Sequence, residues 1–305
     1  MTSGPDLSLL PLQQHPRFGA ALARIGRPPL IVSGLTVLRR RFAGLPVAML
    51  TRFDPGQGEM LPDIVARAGL GAWPLVLAPD GPCPAMAQLG AVPLVSPVTV
   101  AELDLGAPLD ALRRNLSGKW RNRLKAAEAS GLSVSDRPMP LDPDHWLLRA
   151  DTTQGRQRGY RNWPVPLTLA YATAHPGKAR LFTARDRTGE EIAAMLFLRH
   201  GKVATYHLGH STETGRDLAA HNLLMWTAIE RLARAGCTRL DLGLANGEDA
   251  AGLLHFKLGT GARLRPLGGT WGWWPPLGRS LRPLARLDRR LMQLDTATNG
   301  LPARG

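Results

Sequence analysis

The strongest strand-forming pattern lies between Ala179 and Gly209. The runs Ala179–Asp186, Glu191–His200 and Val203–Gly209 are separated by turn residues at Thr188-Gly189 and Gly201-Lys202. That pattern predicts two tight hairpins and a three-stranded antiparallel meander. The period then changes to that of a helix. Ser211 or Thr214 is placed to cap it, Thr214 and Asp217 stand at capping-box spacing, and Gly236 ends it. Leu218, Leu223, Leu224, Met225, Trp226, Ile229 and Leu232 make this helix apolar on most sides at its start, which predicts a buried helix. A strand at Arg239–Leu242, a short helix around Leu253–Leu258 and an extended segment from Arg263 to Trp273 follow. The order β-β-β-α-β-α-β predicts one mixed sheet over residues 179–275 with helices packed on it. In that sheet the strand ending near Gly209 is expected to diverge from Arg239–Leu242.

Upstream the signals are shorter. Residues 1–27 read as a loosely held arm. Leu30–Leu38 and Leu45–Phe53 flank the basic trio Arg39-Arg40-Arg41 and a glycine, which predicts a hairpin. Residues 60–69 suit a short helix ending at Gly69, Leu75–Leu77 a strand, and Val92–Leu105 an extended stretch broken by prolines. Leu109, Leu112, Leu116, Trp120, Leu124 and Ala127 recur at helical spacing, with Gly131 as the C-terminal cap. Basic residues, among them Lys119 and Arg121, cover the other faces. They form either a solvated surface or a phosphate-contacting face. A short strand at Leu132–Ser135, a helical stretch near Asp144–Asp151 and the polar loop GRQRGYRNWP lead into the meander. The domain plan is therefore an arm at 1–27, a divergent partner domain at 28–107, a principal domain at 108–275 and a tail at 276–305.

Composition narrows the class. The chain has 305 residues, 44% hydrophobic and 20% charged, as a folded globular protein does. Cys83 and Cys237 stand far apart without a partner motif, so neither a disulfide framework nor a zinc site is implied and a reducing compartment fits. The opening residues lack a basic, apolar leader pattern, and no run reaches the roughly 18 apolar residues that span a bilayer. A soluble, cytoplasmic protein is expected. The net charge of +14 comes from 33 arginines against five lysines. Such scattered arginine reflects coding bias more than a phosphate-tracking surface, and no DNA partner is expected.

Three places carry candidate chemistry. The strand-to-helix entry STETGRDLAAHN presents free backbone N–H groups to an anion, so Thr214, Gly215, Arg216, His221 and Asn222 are candidate contacts to a donor phosphate; a merely capped helix start would look the same. Tyr206 and His207 point to opposite faces of one strand, and His207 is either a packing residue or the base that takes a proton from an amine. Asp241, late in a strand, and Lys257, beyond a glycine-loosened turn, form either a structural ion pair or a site that positions an amine and stabilises an oxyanion. No metal-ligand spacing is present.

The helix LDALRRNLSGKWRNRLKAAEASGLSV resembles the K-x-R-N-x-x-K-A-x-x-x-G-L signature of Fem-type transferases, a branch of the GNAT-like superfamily. HNLLMWTAIERLARAGCTRLDLG resembles their long helix and the D-x-G strand after it, and GLLHFKLGTGARLRPLGGTW their G-x-x-x-F-K-x-x-x-G segment. The resemblance implies an α/β fold with a mixed sheet of GNAT type, tandem with a divergent N-terminal GNAT-like half. It implies transfer of an acyl or aminoacyl group to an amine without a metal. The donor implied is acyl-CoA as co-substrate, or an aminoacyl-tRNA serving a cell-envelope, peptidoglycan-like acceptor. A degenerate member would be a binding protein. By match to the motifs Lys257 is the transfer-site lysine, Asp241 its strand-end partner, and Lys119 and Arg121 acceptor-side residues, with Arg156 of the polar loop on the same side. The chain departs from the family's pyrophosphate loop: Arg216 is followed by Asp217, Leu218, Ala219, Ala220 and His221, with no Gly-x-Gly. It also lacks the long helical-hairpin arm of some tRNA-using members. Trp271, Trp273 and Trp274 beside the basic amphipathic tail LGRSLRPLARLDRRLMQL suit either peripheral contact with a membrane or packing on the protein itself.

Overall fold

The computed structural model describes residues 6–42, 44–159, 163–245 and 251–281. In chain order the elements are α1 (Pro16–Arg24), β1 (Leu30–Val32), β2 (Leu35–Phe42), β3 (Leu45–Phe53), α2 (Leu61–Arg67), β4 (Leu75–Pro79), α3 (Ala85–Leu89), β5 (Val92–Val95) and β6 (Thr99–Asp104). There follow α4 (Leu109–Arg114), α5 (Gly118–Ala129), β7 (Ser133–Pro138), α6 (Trp146–Arg158), α7 (Val165–Ala174), β8 (Ala179–Arg185), β9 (Glu191–His200) and β10 (Val203–Ser211). The last elements are α8 (Glu213–Asp217), α9 (Ala220–Arg234), β11 (Arg239–Leu244), α10 (Ala251–Leu258), β12 (Arg263–Pro266) and β13 (Thr270–Trp273).

These build two compact units, each with a mixed sheet. One unit joins the chain up to Pro28 to Thr99–Arg265; the other joins Pro29–Val98 to the chain from Pro266. The boundaries differ from those read in the sequence because strands cross between units. β6, expected in the first domain, pairs with β11 in the larger sheet. The expected single extended segment 263–273 is two strands, of which β12 borders β6 while β13 lies between β4 and β5. Gly269, at φ +77°, stands in the connection between them.

The larger sheet runs β12-β6-β11-β10-β9-β8-β7. The meander β8-β9-β10 is antiparallel, and β10 then pairs parallel with β11 after the α9 crossover. Alternation explains the layering. Phe182, Met195 and Phe197 face a core shared with Leu224, Met225 and Ile229 of α9 and with Trp120 and Leu124 of α5. The opposite face is covered by elements that local patterning did not reveal. The arm is ordered: α1 buries Phe18, Ala21 and Leu22 and packs on α7, itself predicted as neither helix nor strand. α7 begins after Trp163-Pro164, where proline's fixed φ starts a helix well. Tyr171 of α7 donates to the Arg199 carbonyl (2.7 Å) and the His175 ring meets the Arg17 carbonyl (2.9 Å), which ties α1, α7 and β9 together.

Two helices that the sequence presents as continuous are broken. The 109–127 helix stops at Asn115 and restarts after Ser117, whose N–H bonds the Gly259 carbonyl (2.9 Å). The 211–235 helix is divided into α8 and α9 at Ala219, a non-glycine residue at φ +50°. Its cap is Thr212, whose Oγ1 accepts from the Gly215 N–H (3.2 Å), rather than Ser211 or Thr214.

The smaller unit carries the sheet β1-β2-β3-β4-β13-β5, with β3 and β4 parallel. Its core packs Leu50, Phe53, Leu61, Leu77 and Met86 with Trp271 and Trp273. Those two tryptophans are therefore interior residues. Trp271 donates to the Gly268 carbonyl (2.7 Å), and the half-exposed Trp274 donates to the Ala72 carbonyl (3.0 Å). The tail beyond Leu281 lies outside the described residues. No helix among the described residues is long and apolar enough to cross a membrane.

Candidate active site

The site is built where β10 and β11 part. They pair only over Val203↔Arg239, Ala204↔Leu240 and Thr205↔Asp241. Beyond that point β10 takes a bulge at Tyr206/Leu208 while β11 shifts register against β6 after Asp241. A bulge bends its strand and raises its twist, so the two strands diverge as expected. The β10 edge from Tyr206 to Ser211 is left without a β11 partner, and this opens a slot lined by backbone polar groups.

Lys257 stands at the β11 side of the slot. It is 5% exposed, and Nζ donates to the Leu244 carbonyl (2.6 Å) at the end of β11. Burial lowers its pKa from 10.5 to about 8, and the Asp241 charge works in the opposite direction. Asp241 is buried, and its Oδ1 accepts from the Gly243 N–H (2.7 Å). Gly243 adopts φ +76°, and a Cβ there would lie 3.9 Å from Nζ. The lysine is thus buried rather than partly exposed, and the buried Asp241 carboxylate favours its ammonium form.

What aims Lys257 was not visible in its own segment. Trp120 of α5 donates from Nε1 to the Phe256 carbonyl (3.1 Å) and stacks obliquely on Phe256, centroids 6.0 Å apart. Thr260 caps the helix by bonding the Lys257 carbonyl (2.6 Å). Gly259 admits the indole, since a Cβ there would meet Trp120 Cδ1 at 2.5 Å. Two of the three motif segments are therefore one structural joint. Gly259→Ala is expected to overpack this joint, destabilising the protein by about 1–3 kcal/mol and lowering turnover; thermal unfolding and initial rates check both effects.

Tyr206 and His207 lie on opposite faces, as strand geometry demands. Tyr206 packs near Phe197 (5.5 Å) on the α9 side and folds its hydroxyl over Gly209, where a Cβ would collide with it. His207, in the bulge, meets Thr168 Oγ1 through Nε2 (2.9 Å) and stacks on Trp163 (4.8 Å). Burial lowers its pKa to about 4. An imidazole so weakly basic is a poor proton acceptor for an ammonium, which leaves His207 as a packing and positioning residue.

The entry to α9 also differs in detail from the expected anion cradle. Gly215 is used by the fold: a Cβ there would collide with the Ile192 carbonyl, so its smallness lets α8 lie against β9 rather than a ligand approach. Arg216 donates to the Ser211 carbonyl (2.9 Å), Thr214 is exposed, and Asn222 is buried in the first turn of α9. His221 is the residue here that local sequence gave least reason to single out. Its ring bonds the His210 backbone, its Nε2 is buried without a partner, and it sits 6.1 Å from the Phe256 ring. Of the acceptor-side candidates, Lys119 and Arg156 are exposed on α5 and α6. Arg121 is committed to the end of α4, donating to the Leu116 (2.9 Å) and Arg114 (3.3 Å) carbonyls.

Residues 112–258, which hold the meander, the slot and Lys257, match the acetyltransferase (GNAT) domain family. The chain carries a GNAT-type acyltransferase domain over these residues. A comparison with the curated proteins finds no match. Among solved structures the chain is similar to FemX, at 15% identity over 89% of this chain and 95% of that one, with a TM-score of 0.69. It is similar to the C-terminal domain of an Agrobacterium fabrum protein assigned as a lysylphosphatidylglycerol synthetase (16% identity, 92% and 96% covered, TM-score 0.55). It is also similar to L-PGS from Bacillus licheniformis (11%, 94% and 98%, 0.52). The GNAT fold of the Fem type inferred from the three motifs is therefore present.

Proposed function

We propose that this acyltransferase moves an acyl group from a coenzyme-A-type thioester to a primary amine, with the reacting carbonyl held in the slot between β10 and β11. The observation that carries the reading is the buried Lys257 ammonium at the slot's end. The amine nitrogen attacks the carbonyl carbon as the new C–N bond forms, and the oxygen becomes an oxyanion that Lys257 stabilises. Collapse breaks the C–S bond, and the proton shed by nitrogen ends on the leaving thiol. A fixed donor in a water-poor slot is most effective at the charge that develops in the transition state. Asp241 holds the β11 turn, and Lys119 and Arg156 face an acceptor on the outer side. A cytoplasmic location and a small-molecule or cell-envelope amine as acceptor are part of this proposal.

A second reading, an aminoacyl-tRNA donor, is favoured by the α9 entry. The position that glycine would fill is Ala219, and the Arg216 guanidinium is directed to a backbone carbonyl, so little there greets a coenzyme pyrophosphate. The resemblance in fold to FemX over nearly the whole chain supports the same alternative. The test offers purified full-length protein acyl-CoA thioesters and aminoacyl-tRNA separately with a panel of amines. Amine-dependent thiol release, lost in Lys257→Met, is the expected result. Deacylation of aminoacyl-tRNA onto an amine without thiol release establishes the second donor instead, and inertness toward both sinks both readings.

A further inference from the structure

The hairpin β2–β3 of the smaller unit ends in a tip that the acyl-transfer reading does not use. At its root Leu35, Val37, Ala48 and Leu50 are buried in the core. Beyond the root the strands continue, with Arg41 opposite Pro46 and Phe42 opposite Leu45 as the closing pairs. Phe42 is 77% exposed and Leu45 64% exposed. Two large apolar side chains held side by side at a turn, both this exposed, are an unusual use of a hairpin end.

The charge around them has one sign. Residues 29–53 contain four arginines and no aspartate or glutamate. Arg52 is paired with Asp80 near the root. Arg39, Arg40 and Arg41 lie directly behind Phe42, and strand alternation puts Arg39 and Arg41 on one face and Arg40 on the other. The tip thus presents an apolar point with a basic collar one step behind it. Gly44, at φ +83°, makes the turn, and its carbonyl accepts from Arg41 (3.2 Å), which fixes one guanidinium of the collar beside the point.

We propose that this hairpin tip is a membrane-docking element: Phe42 and Leu45 enter the interface of an anionic bilayer while the exposed Arg39 and Arg41 meet the lipid phosphates. The order of the groups favours a bilayer over a nucleic acid. An apolar pair ahead of the cations matches the change from headgroup to hydrocarbon with depth, and long arginine side chains reach back to the headgroups from below. A duplex or a folded RNA offers phosphate at its outermost layer and would be met by the cations first. The inference stands on the smaller unit alone and does not depend on the identity of the acyl donor.

The experiment attaches an environment-sensitive fluorophore to a Phe42→Cys variant of the full chain. Cys83 and Cys237 are buried, so the new thiol is the reactive one. With vesicles of phosphatidylcholine containing phosphatidylglycerol, the label is expected to shift to the blue and to be quenched by a lipid-borne quencher. Pure phosphatidylcholine vesicles should leave it unchanged. In flotation assays of unlabelled protein, Phe42→Ser/Leu45→Ser should lower partitioning at least tenfold. Arg39→Gln/Arg41→Gln should lower it by roughly fivefold for each arginine. Unaltered melting temperatures would show that these exposed changes leave the fold intact. Vesicle binding without quenching at position 42, or with equal flotation of the serine variant, would overturn the proposal. So would a shift produced by RNA and not by vesicles, or by raised protein concentration alone.

Discussion

Lys257→Met removes acyl transfer, by about 10²–10³-fold in kcat if the ammonium is the oxyanion donor, while the protein stays folded. The stability half of this prediction is the less usual one. A lysine whose pKa falls from 10.5 to about 8 on folding holds its proton against a burial penalty of roughly 3 kcal/mol. Methionine fills similar volume without a charge. It loses the bond to the Leu244 carbonyl, and leaving that acceptor unpaired costs about 1–3 kcal/mol. The two effects nearly offset, so Tm should hold or rise slightly. A lysine with a purely structural role would instead give a clear fall in Tm with the rate following it. The pH profile gives a second reading of the same group. As a cation, Lys257 supports turnover below its pKa, so that support should fade as pH rises through about 8. A rate that climbs through the same range would mean that the neutral amine is the working form. Initial rates from pH 6 to 10 and thermal melts of both proteins decide the matter.

Acid should unfold the larger unit well above the pH at which carboxylates titrate. His200 is fully buried, with Nε2 against Thr205 Oγ1 (2.9 Å), and packs edge-on against His15 (5.5 Å). Burial lowers their pKa values to about 3 and about 4, with the His15 charge also opposing protonation of His200 and Arg17 and His175 opposing that of His15. His207 is lowered to about 4 by burial, and His175 and His221 are lowered in the same direction for the same reason. Because these folded-state values lie below 6.5, the unfolded chain binds the protons more tightly. Their contribution to stability is complete above pH 6.5 and is lost as pH falls toward the folded-state values. Each such group removes roughly 1.4 kcal/mol per pH unit in that window. Three acting together between pH 6.5 and 5 remove about 6 kcal/mol, as much as many domains possess. Melting temperature measured from pH 8 to 4.5 should therefore drop steeply below pH 6, and His200→Gln should flatten that limb. An acid limb unchanged by this variant would place the sensitivity elsewhere. The cluster joins α1 to β9, so the first loss should be the docking of α1, visible as early hydrogen exchange in residues 16–24.

The parts of this protein that local pattern determines are the parts whose physics is local. Apolar runs of strand length bounded by glycine turns made β8, β9 and β10 legible, because a strand buried on both faces carries that signal within its own segment. The apolar girth of α9 announced its burial, and three motif segments named the family and pointed to Lys257. Tertiary structure decided the rest. α1 and α7 are short and carry little periodic signal of their own; they are stabilised by each other and by His175, Tyr171 and Arg17. The break at Ala219 accompanies the packing of α8 against the Ile192 carbonyl, which Thr212, twenty residues downstream of it, bonds and which Gly215 approaches closely. β6 and β13 changed places relative to the sequence reading because strand pairing is chosen between distant segments, and a short apolar run fits either sheet equally well by itself. The same holds for the site. Asp241 and Lys257 could be named from the chain, but their burial, the slot above them and the Trp120 indole that aims Lys257 arise only when α5 meets α10, 136 residues apart at the Trp120–Phe256 bond. A linear sequence displays what each segment prefers, whereas the desolvation that sets the lysine's pKa belongs to the assembled fold.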